Sequence, residues 1–257
     1  MILIAPMVVA MKDEWRLYIV LLLLLLCGDQ IYAKIYLVSA GVADYSGYPY
    51  PINSLRLTAA DAKTMAYLYS KNGDTEYFLL LNDDATRRNI INSIDKMFSK
   101  AGENDIVVFF FSGHGFPGGL CAYDGDLEYA QIRRTMAKSK CKNKMMFIDA
   151  CRSGSLREQP SVSSSNAMID AKNANVMLLL SSRTDENSIE RYDMKNGYFT
   201  NYLYKGLRGN ADANRDRIIT AKELFDFVHL GVSKISGGRQ HPVMWGKFND
   251  GMPVMIW

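Results

Sequence analysis

Phe109-Phe110-Phe111-Ser112-Gly113-His114-Gly115 and Met145-Met146-Phe147-Ile148-Asp149-Ala150-Cys151-Arg152-Ser153-Gly154 are the two segments of this 257-residue chain best suited to covalent chemistry. Each is an apolar, β-prone run that stops at a reactive side chain set among small residues. A thiol attacks a carbonyl carbon as its thiolate, and a nearby imidazole takes its proton or stabilises its charge. Gly113 and Gly115 leave the backbone around His114 free to bend and let a substrate come close. Alone, Cys151 reads equally well as a small buried hydrophobe, the usual fate of a free cysteine. With His114 placed 37 residues upstream at the end of an earlier strand, it reads as a nucleophile with its base.

The surrounding pattern alternates strand and helix. Ile35–Ala40, Tyr77–Leu81, Ile106–Phe111, Met145–Ile148 and Val176–Leu180 read as strands. Helices are predicted over 57–69, after a cap at Asp84 (Ile90, Ile94, Met97 and Phe98 at helical spacing), over 127–138, and late in the chain around Phe199–Leu207 and Leu224–Val228. Unbroken Val/Leu/Phe runs indicate strands covered on both faces. The predicted fold class is therefore α/β: a mostly parallel central sheet of about six strands with helices on both faces. In such sheets ligands bind beyond the carboxyl ends of the strands. His114 and Cys151 both follow strands at that end, and successive strands are commonly neighbours.

The pair Ser112-Gly113-His114-Gly115 and Asp149-Ala150-Cys151-Arg152-Ser153-Gly154 resembles the motifs of the caspase and metacaspase superfamily of cysteine peptidases. Asp149 ahead of Ala150-Cys151, where animal caspases carry Gln, brings the chain nearer to the bacterial metacaspase-like members. Asp61-Ala62, Ser181-Ser182 and Gly197-Tyr198-Phe199-Thr200 are further matches, so the resemblance spans residues 36 to the C-terminus. It implies a caspase-like fold and a cysteine endopeptidase with a Cys-His dyad. Cys151 would attack the scissile carbonyl, His114 would protonate the leaving amine, and the backbone N–H groups of Gly115 and Cys151 would bind the oxyanion. It also implies that Asp61, Ser112 and Asp149 line an acidic pocket for an Arg or Lys at P1, the residue before the scissile bond. Two carboxylates facing a guanidinium recognise it by charge-assisted bidentate hydrogen bonds. Asp61 also reads as a helix-start acid, and Asp149 as a backbone-bonded turn residue. Self-cleavage in the 154–174 loop, at Arg157 or Lys172, would fit that specificity. The alternative is a catalytically silent caspase-fold binding or signalling module.

The chemistry itself requires no cofactor. Asp212, Asn214, Asp216, Ile218 and Glu223 do fall at the EF-hand ligand positions, which raises calcium as a ligand, although Arg217 replaces the turn glycine. Thr220-x-x-Glu223 competes with that reading as a helix capping box. His229 and His241 have no partner at metal-ligand spacing and read as structural.

Residues 1–33 read as a signal peptide or N-terminal extension, and 34–257 as the peptidase domain. Lys12 and Arg16 precede the apolar run Ile19–Cys27, and Tyr32-Ala33 offers a small residue for cleavage. The run is well short of the ~20 residues that span a bilayer. The expectation is a secreted or periplasmic protein with no membrane association beyond that segment. The mature chain would keep Cys121, Cys141 and Cys151, and a Cys121–Cys141 disulfide would leave Cys151 free. A net charge of +3 with no Lys/Arg cluster argues against a nucleic-acid partner. The expected partner is a polypeptide with a basic P1 residue.

Overall fold

The computed structural model describes residues 33–71, 74–116, 118–150, 176–182 and 195–256. Residues 1–32, where a signal peptide is expected, and Cys151, Arg157 and Lys172 lie outside them. The central sheet is built from β1 (Ile35–Gly41), β2 (Thr75–Leu81), β3 (Ile106–Gly113), β7 (Asn143–Ala150), β8 (Val176–Leu180) and β10 (Val243–Gly246), in the order β10-β8-β7-β3-β1-β2. All neighbours run parallel except β10, which closes one edge antiparallel to β8. The connecting helices are α1 (Thr58–Ser70), α2 (Arg87–Phe98), α3 (Tyr129–Ala137), α4 (Tyr198–Lys205) and α5 (Ala221–Ile235).

Both faces of the sheet are covered, which is why its strands carry no polar alternation. In β3, Phe109 and Phe111 pack with Ile90, Ile94 and Phe98 of α2 and Ile132 and Met136 of α3. Val108 and Phe110 point the other way, toward Met65 and Tyr69 of α1, Phe199 of α4 and Leu224 of α5. All of these side chains are fully or almost fully buried. Successive strand residues alternate between faces, so the same rule fixes where the polar residues at the strand ends must go. Ser112 continues the Val108–Phe110 set toward α1 and α4.

The helix α1 lies unusually tight against the end of β1. A methyl group on Gly41 would sit 2.5 Å from the Thr58 carbonyl oxygen, so only glycine permits this approach. Thr58 Oγ1 donates to the Val42 carbonyl (2.7 Å) and Ser39 Oγ to that of Ala62 (2.9 Å). These bonds clamp the first turns of α1, and with them Asp61, onto the carboxyl edge of the sheet.

Some features differ from the sequence-based expectation. The cap of α2 is Thr86, whose side chain accepts from Asn89 N, while Asp84 sits in a preceding 3-10 turn (Asn82–Asp84). A small antiparallel sheet, β4 (Gly115–Phe116), β5 (Gly119–Ala122) and β6 (Gly125–Glu128), follows His114 directly. A pair, β9 (Ile218–Thr220) with β11 (Pro253–Ile256), precedes and follows α5. Strands of two to four residues are too short to show a period of two. Cys121 and Cys141 are free and buried, so the disulfide that the sequence left open between them is not formed. The Cys141 thiol donates to the Asp105 carbonyl at 2.9 Å, and burial pushes it up to about 11. Among the described residues no helix is long and apolar enough to cross a membrane.

Candidate active site

The two motif strands are neighbours in register. Ser112 pairs with Asp149 and Gly113 with Ala150, so β3 and β7 end on the same row of the ladder. The next residues in the chain are His114 and Cys151. Beyond β7, Ser181 at the end of β8 ties down the last turn of backbone before Cys151. Its N–H donates to the Ile148 carbonyl (2.9 Å) and its Oγ to that of Ala150 (3.2 Å). Gln240 Nε2 in turn donates to the Ser181 carbonyl at 2.9 Å.

His114 is half-buried and held from two sides. Its Nε2 lies 2.8 Å from the Asn53 carbonyl oxygen. A carbonyl can only accept, so Nε2 carries the proton and Nδ1 is left as the nitrogen able to exchange one in the neutral ring. The backbone N–H of His114 donates to Tyr45 Oη at 2.7 Å, and Tyr45 Oη donates onward to the Cys121 carbonyl at 3.2 Å. The Tyr45 ring packs at 4.9 Å from the imidazole. The N–H of Cys121 closes the circuit on the His114 carbonyl (2.9 Å), and Gly115 opens β4 beside it. Neither Asn53 nor Tyr45 was identified from sequence. Asn53 acts through its backbone, so its residue type carries no signal, and Tyr45 is one of several tyrosines in an irregular segment.

Replacing Tyr45 with Phe tests this support. The variant keeps the ring contact but leaves the His114 N–H without its acceptor, a loss of about 1–3 kcal/mol. The expected result is a roughly tenfold fall in kcat with KM little changed. Equal kcat in the variant would show that the hydroxyl does not hold the imidazole in place.

On the α1/α4 side of the same edge, Asp61 and Asp149 converge. Ser112 Oγ donates to Asp61 Oδ2 at 2.9 Å, and Asn196 Nδ2 (2.8 Å) and Gly197 N (3.2 Å) donate to Asp61 Oδ1. Thr200 donates to Asp149 Oδ2 through both Oγ1 (2.8 Å) and N (3.3 Å). A methyl group on Gly197 would lie 3.1 Å from Asp149 Oδ2 and 3.8 Å from Asp61 Oδ2. That glycine, at the start of α4, therefore lets two carboxylates share one small space. Asp61 is 2 % and Asp149 6 % exposed. Burial and the neighbouring Asp149 charge hold the Asp61 carboxyl well above the usual carboxylate range, only partly offset by its three donors.

Asp61, Ser112 and Asp149 are thus brought together as a set. The additional members are Asn196, Gly197 and Thr200. Gly197 and Thr200 stood inside a matched motif, while nothing in the sequence singled out Asn196. A nearby cavity of about 570 Å³ reaches Asn196, but Lys63 and Lys195 line it, so it repels a basic side chain.

The 212–223 loop is a separate feature. Asp212 Oδ1 and Oδ2 accept from the N–H groups of Asp216 (3.2 Å) and Arg217 (3.1 Å), and Asp216 Oδ1 accepts from Ile218 N (2.8 Å). Asn214 Oδ1 accepts from Asp216 N at 3.0 Å. Glu223 Oε2 accepts from Thr220 N and Oγ1, completing the capping box of α5. Among the described residues no group of three or more His, Cys, Asp or Glu is placed to hold a metal ion. His229 Nδ1 faces the Pro242 carbonyl at 2.7 Å, and the His229 and His241 rings lie 6.3 Å apart.

Comparison with known proteins bears on this arrangement in three ways. The structure of protein GSU0716 from Geobacter sulfurreducens matches with a TM-score of 0.61 at 19 % identity, covering 84 % of this chain and 94 % of that one. That of Caspase-1 from Spodoptera frugiperda matches with a TM-score of 0.61 at 16 % identity, covering 84 % and 88 %. At these identities the likeness is one of fold. No curated protein matches the chain. A family model described as the caspase domain, of the C14 peptidases, matches residues 41–250, most of the chain and all of the elements that surround His114, Asp61 and Asp149. The chain belongs to the caspase-domain peptidase family.

Proposed function

We propose that the protein is a cysteine endopeptidase that cleaves polypeptides after Arg or Lys, with Cys151 as nucleophile and His114 as its acid and base. The observation that carries this reading is the buried Asp61/Asp149 pair, set on the same sheet edge as a tautomer-fixed His114. A side chain entering beside two carboxylates gains most if it is a guanidinium or ammonium. An aspartate there would meet like charge.

In this mechanism the Cys151 sulfur attacks the scissile carbonyl carbon, forming the C–S bond while the oxygen takes the displaced electron pair. The N–H groups of Gly115 and Cys151 stabilise that oxyanion. His114, protonated by the thiol, gives its Nδ1 proton to the leaving nitrogen as the C–N bond breaks. Water then attacks the thioester with Nδ1 as base, the C–S bond breaks, the acid product leaves, and the sulfur recovers its proton from the imidazole. Arg157 and Lys172 are the sites that this specificity would select for self-processing.

Matched peptide aminocoumarin amides with Arg, Lys or Asp at P1, assayed with and without calcium, test the proposal. Arg and Lys substrates should exceed the Asp one by at least a hundredfold. Cleavage restricted to Asp would overturn the pocket assignment. No cleavage of any substrate, with no labelling by a thiol-directed peptidyl probe, would instead support a silent binding module.

A further inference from the structure

A second cavity, of about 430 Å³, opens on the other flank of His114 and is lined by Tyr48, Tyr50, Ile52, Asn53 and Phe116 together with the imidazole itself. Its volume lies within the ~300–1,000 Å³ of ordinary ligand pockets, well above what a single methyl group needs. Among the described residues no Lys, Arg, Asp or Glu lines it. The one carboxylate drawn toward its wall, Asp126, is engaged by the Tyr48 hydroxyl. The wall is also stiff. Tyr45 packs edge-on against Tyr48 at 5.9 Å and Tyr48 against Tyr50 at 4.9 Å, continuing from the ring that supports His114. Tyr50 nevertheless remains 55 % exposed, a large aromatic surface open to solvent beside the site.

The chemistry proposed for His114 says what belongs there. The group that receives its proton is the nitrogen of the residue after the scissile bond, P1′. That residue must therefore reach the imidazole, while the P1 side chain lies with Asp61 and Asp149 on the α1/α4 side. We infer that the Tyr48/Tyr50/Ile52/Phe116 cavity is the P1′ subsite, and that it selects an uncharged apolar or aromatic residue. This rests on the peptidase reading above. Uncharged walls bury an apolar side chain favourably, whereas a charged one would lose its hydration with nothing to pair with. The acidic and the apolar pocket then lie on either side of His114, and the preferred cleavage sequence is a basic residue followed by an apolar one.

Internally quenched peptides identical except at P1′, with Arg at P1, provide the test, with the cleaved bond identified by mass spectrometry. Phe or Leu at P1′ should exceed Gly about tenfold in kcat/KM, and Asp or Lys should fall below Gly. Tyr50→Ala, at an exposed position, should bring the Phe-to-Gly ratio toward one. Ile52→Glu should reverse the order of Phe and Lys. A flat P1′ series in the wild-type enzyme, or a preference that neither variant alters, would overturn the subsite while leaving the peptidase reading in place. Failure to cleave any peptide, including the Arg aminocoumarin amide, would instead remove the peptidase reading and this inference with it.

Discussion

Replacing Cys151 with Ala is expected to reduce hydrolysis of Arg-P1 peptides to background, and His114→Ala to lower kcat by about 10²–10⁴-fold. The reasoning starts from the ladder. Neighbouring parallel strands lie about 4.8 Å apart, and β3 and β7 end together with Gly113 opposite Ala150. His114 and Cys151 are the next residues of the two strands in the sequence. With Nε2 committed to the Asn53 carbonyl, Nδ1 is the nitrogen free to serve the thiol. Two groups acting as one unit are not additive, so the double variant should be no slower than Cys151→Ala alone. Active-site labelling with a peptidyl thiol probe, alongside steady-state kinetics, measures both. Hydrolysis that survives Cys151→Ala would place the nucleophile elsewhere.

The second large effect concerns the buried acid pair. Asp61→Asn keeps the shape of the side chain, and its amide can still face Ser112 and Gly197, but the charge is gone. Breaking one half of a buried, hydrogen-bonded ionic contact costs about 3–5 kcal/mol, or roughly two to three and a half orders of magnitude in kcat/KM for Arg at P1. Stability should respond differently. In the free protein Asp61 is 2 % exposed and holds its proton well above the usual carboxylate range, owing first to burial and then to Asp149. The folded state therefore binds that proton more tightly than the unfolded chain. The resulting stabilisation is complete below the ordinary carboxylate range and is lost as pH rises through the elevated value. Asparagine cannot ionise, so the variant should lack this loss.

The stability difference, variant minus wild type, should accordingly grow in urea denaturation as pH rises above the ordinary carboxylate range. Wild-type kcat/KM for Arg substrates should likewise rise with pH as Asp61 becomes ionised. A variant equally active on Arg substrates would exclude Asp61 from substrate recognition. A stability difference independent of pH would show that its carboxyl titrates normally.

The two effects together would mark a site tuned for function rather than for stability. Two carboxyl groups beside Gly197 make a poor core in the free protein, and on the proposed specificity a bound cation would favour their ionised forms. The donors around them, Ser112, Asn196 and Thr200, are neutral and therefore limit the desolvation cost without neutralising the charge.

Much of this was legible before any coordinates. The apolar runs of β1, β3, β7 and β8 announce a buried parallel sheet because a strand covered on both faces has no polar residues to alternate. The small residues around His114 and Cys151 mark where those runs stop. Asp61, Ser112 and Asp149 were found through motif resemblance; Ser112 and Asp149 share a face because they are paired on adjacent strands, and Asp61 joins them because α1 is clamped to the end of β1. The supporting residues were not legible. Asn53 contributes a carbonyl that every residue possesses, Tyr45 a hydroxyl from a segment without periodicity, and Asn196 an amide 135 residues from its partner. The short strands β4–β6 and β9, β10 and β11 carry too few residues to display a period, and Thr86 rather than Asp84 caps α2 because the chain first makes a 3-10 turn. Local sequence thus determined which residues could do chemistry and which strands would carry them. Only tertiary packing decided which nitrogen of His114 is held, which donors surround the carboxylates, and that an uncharged cavity lies behind the imidazole. Those contacts join residues distant in sequence through generic backbone and side-chain groups, whose geometry exists only once the sheet and its helices have closed around them.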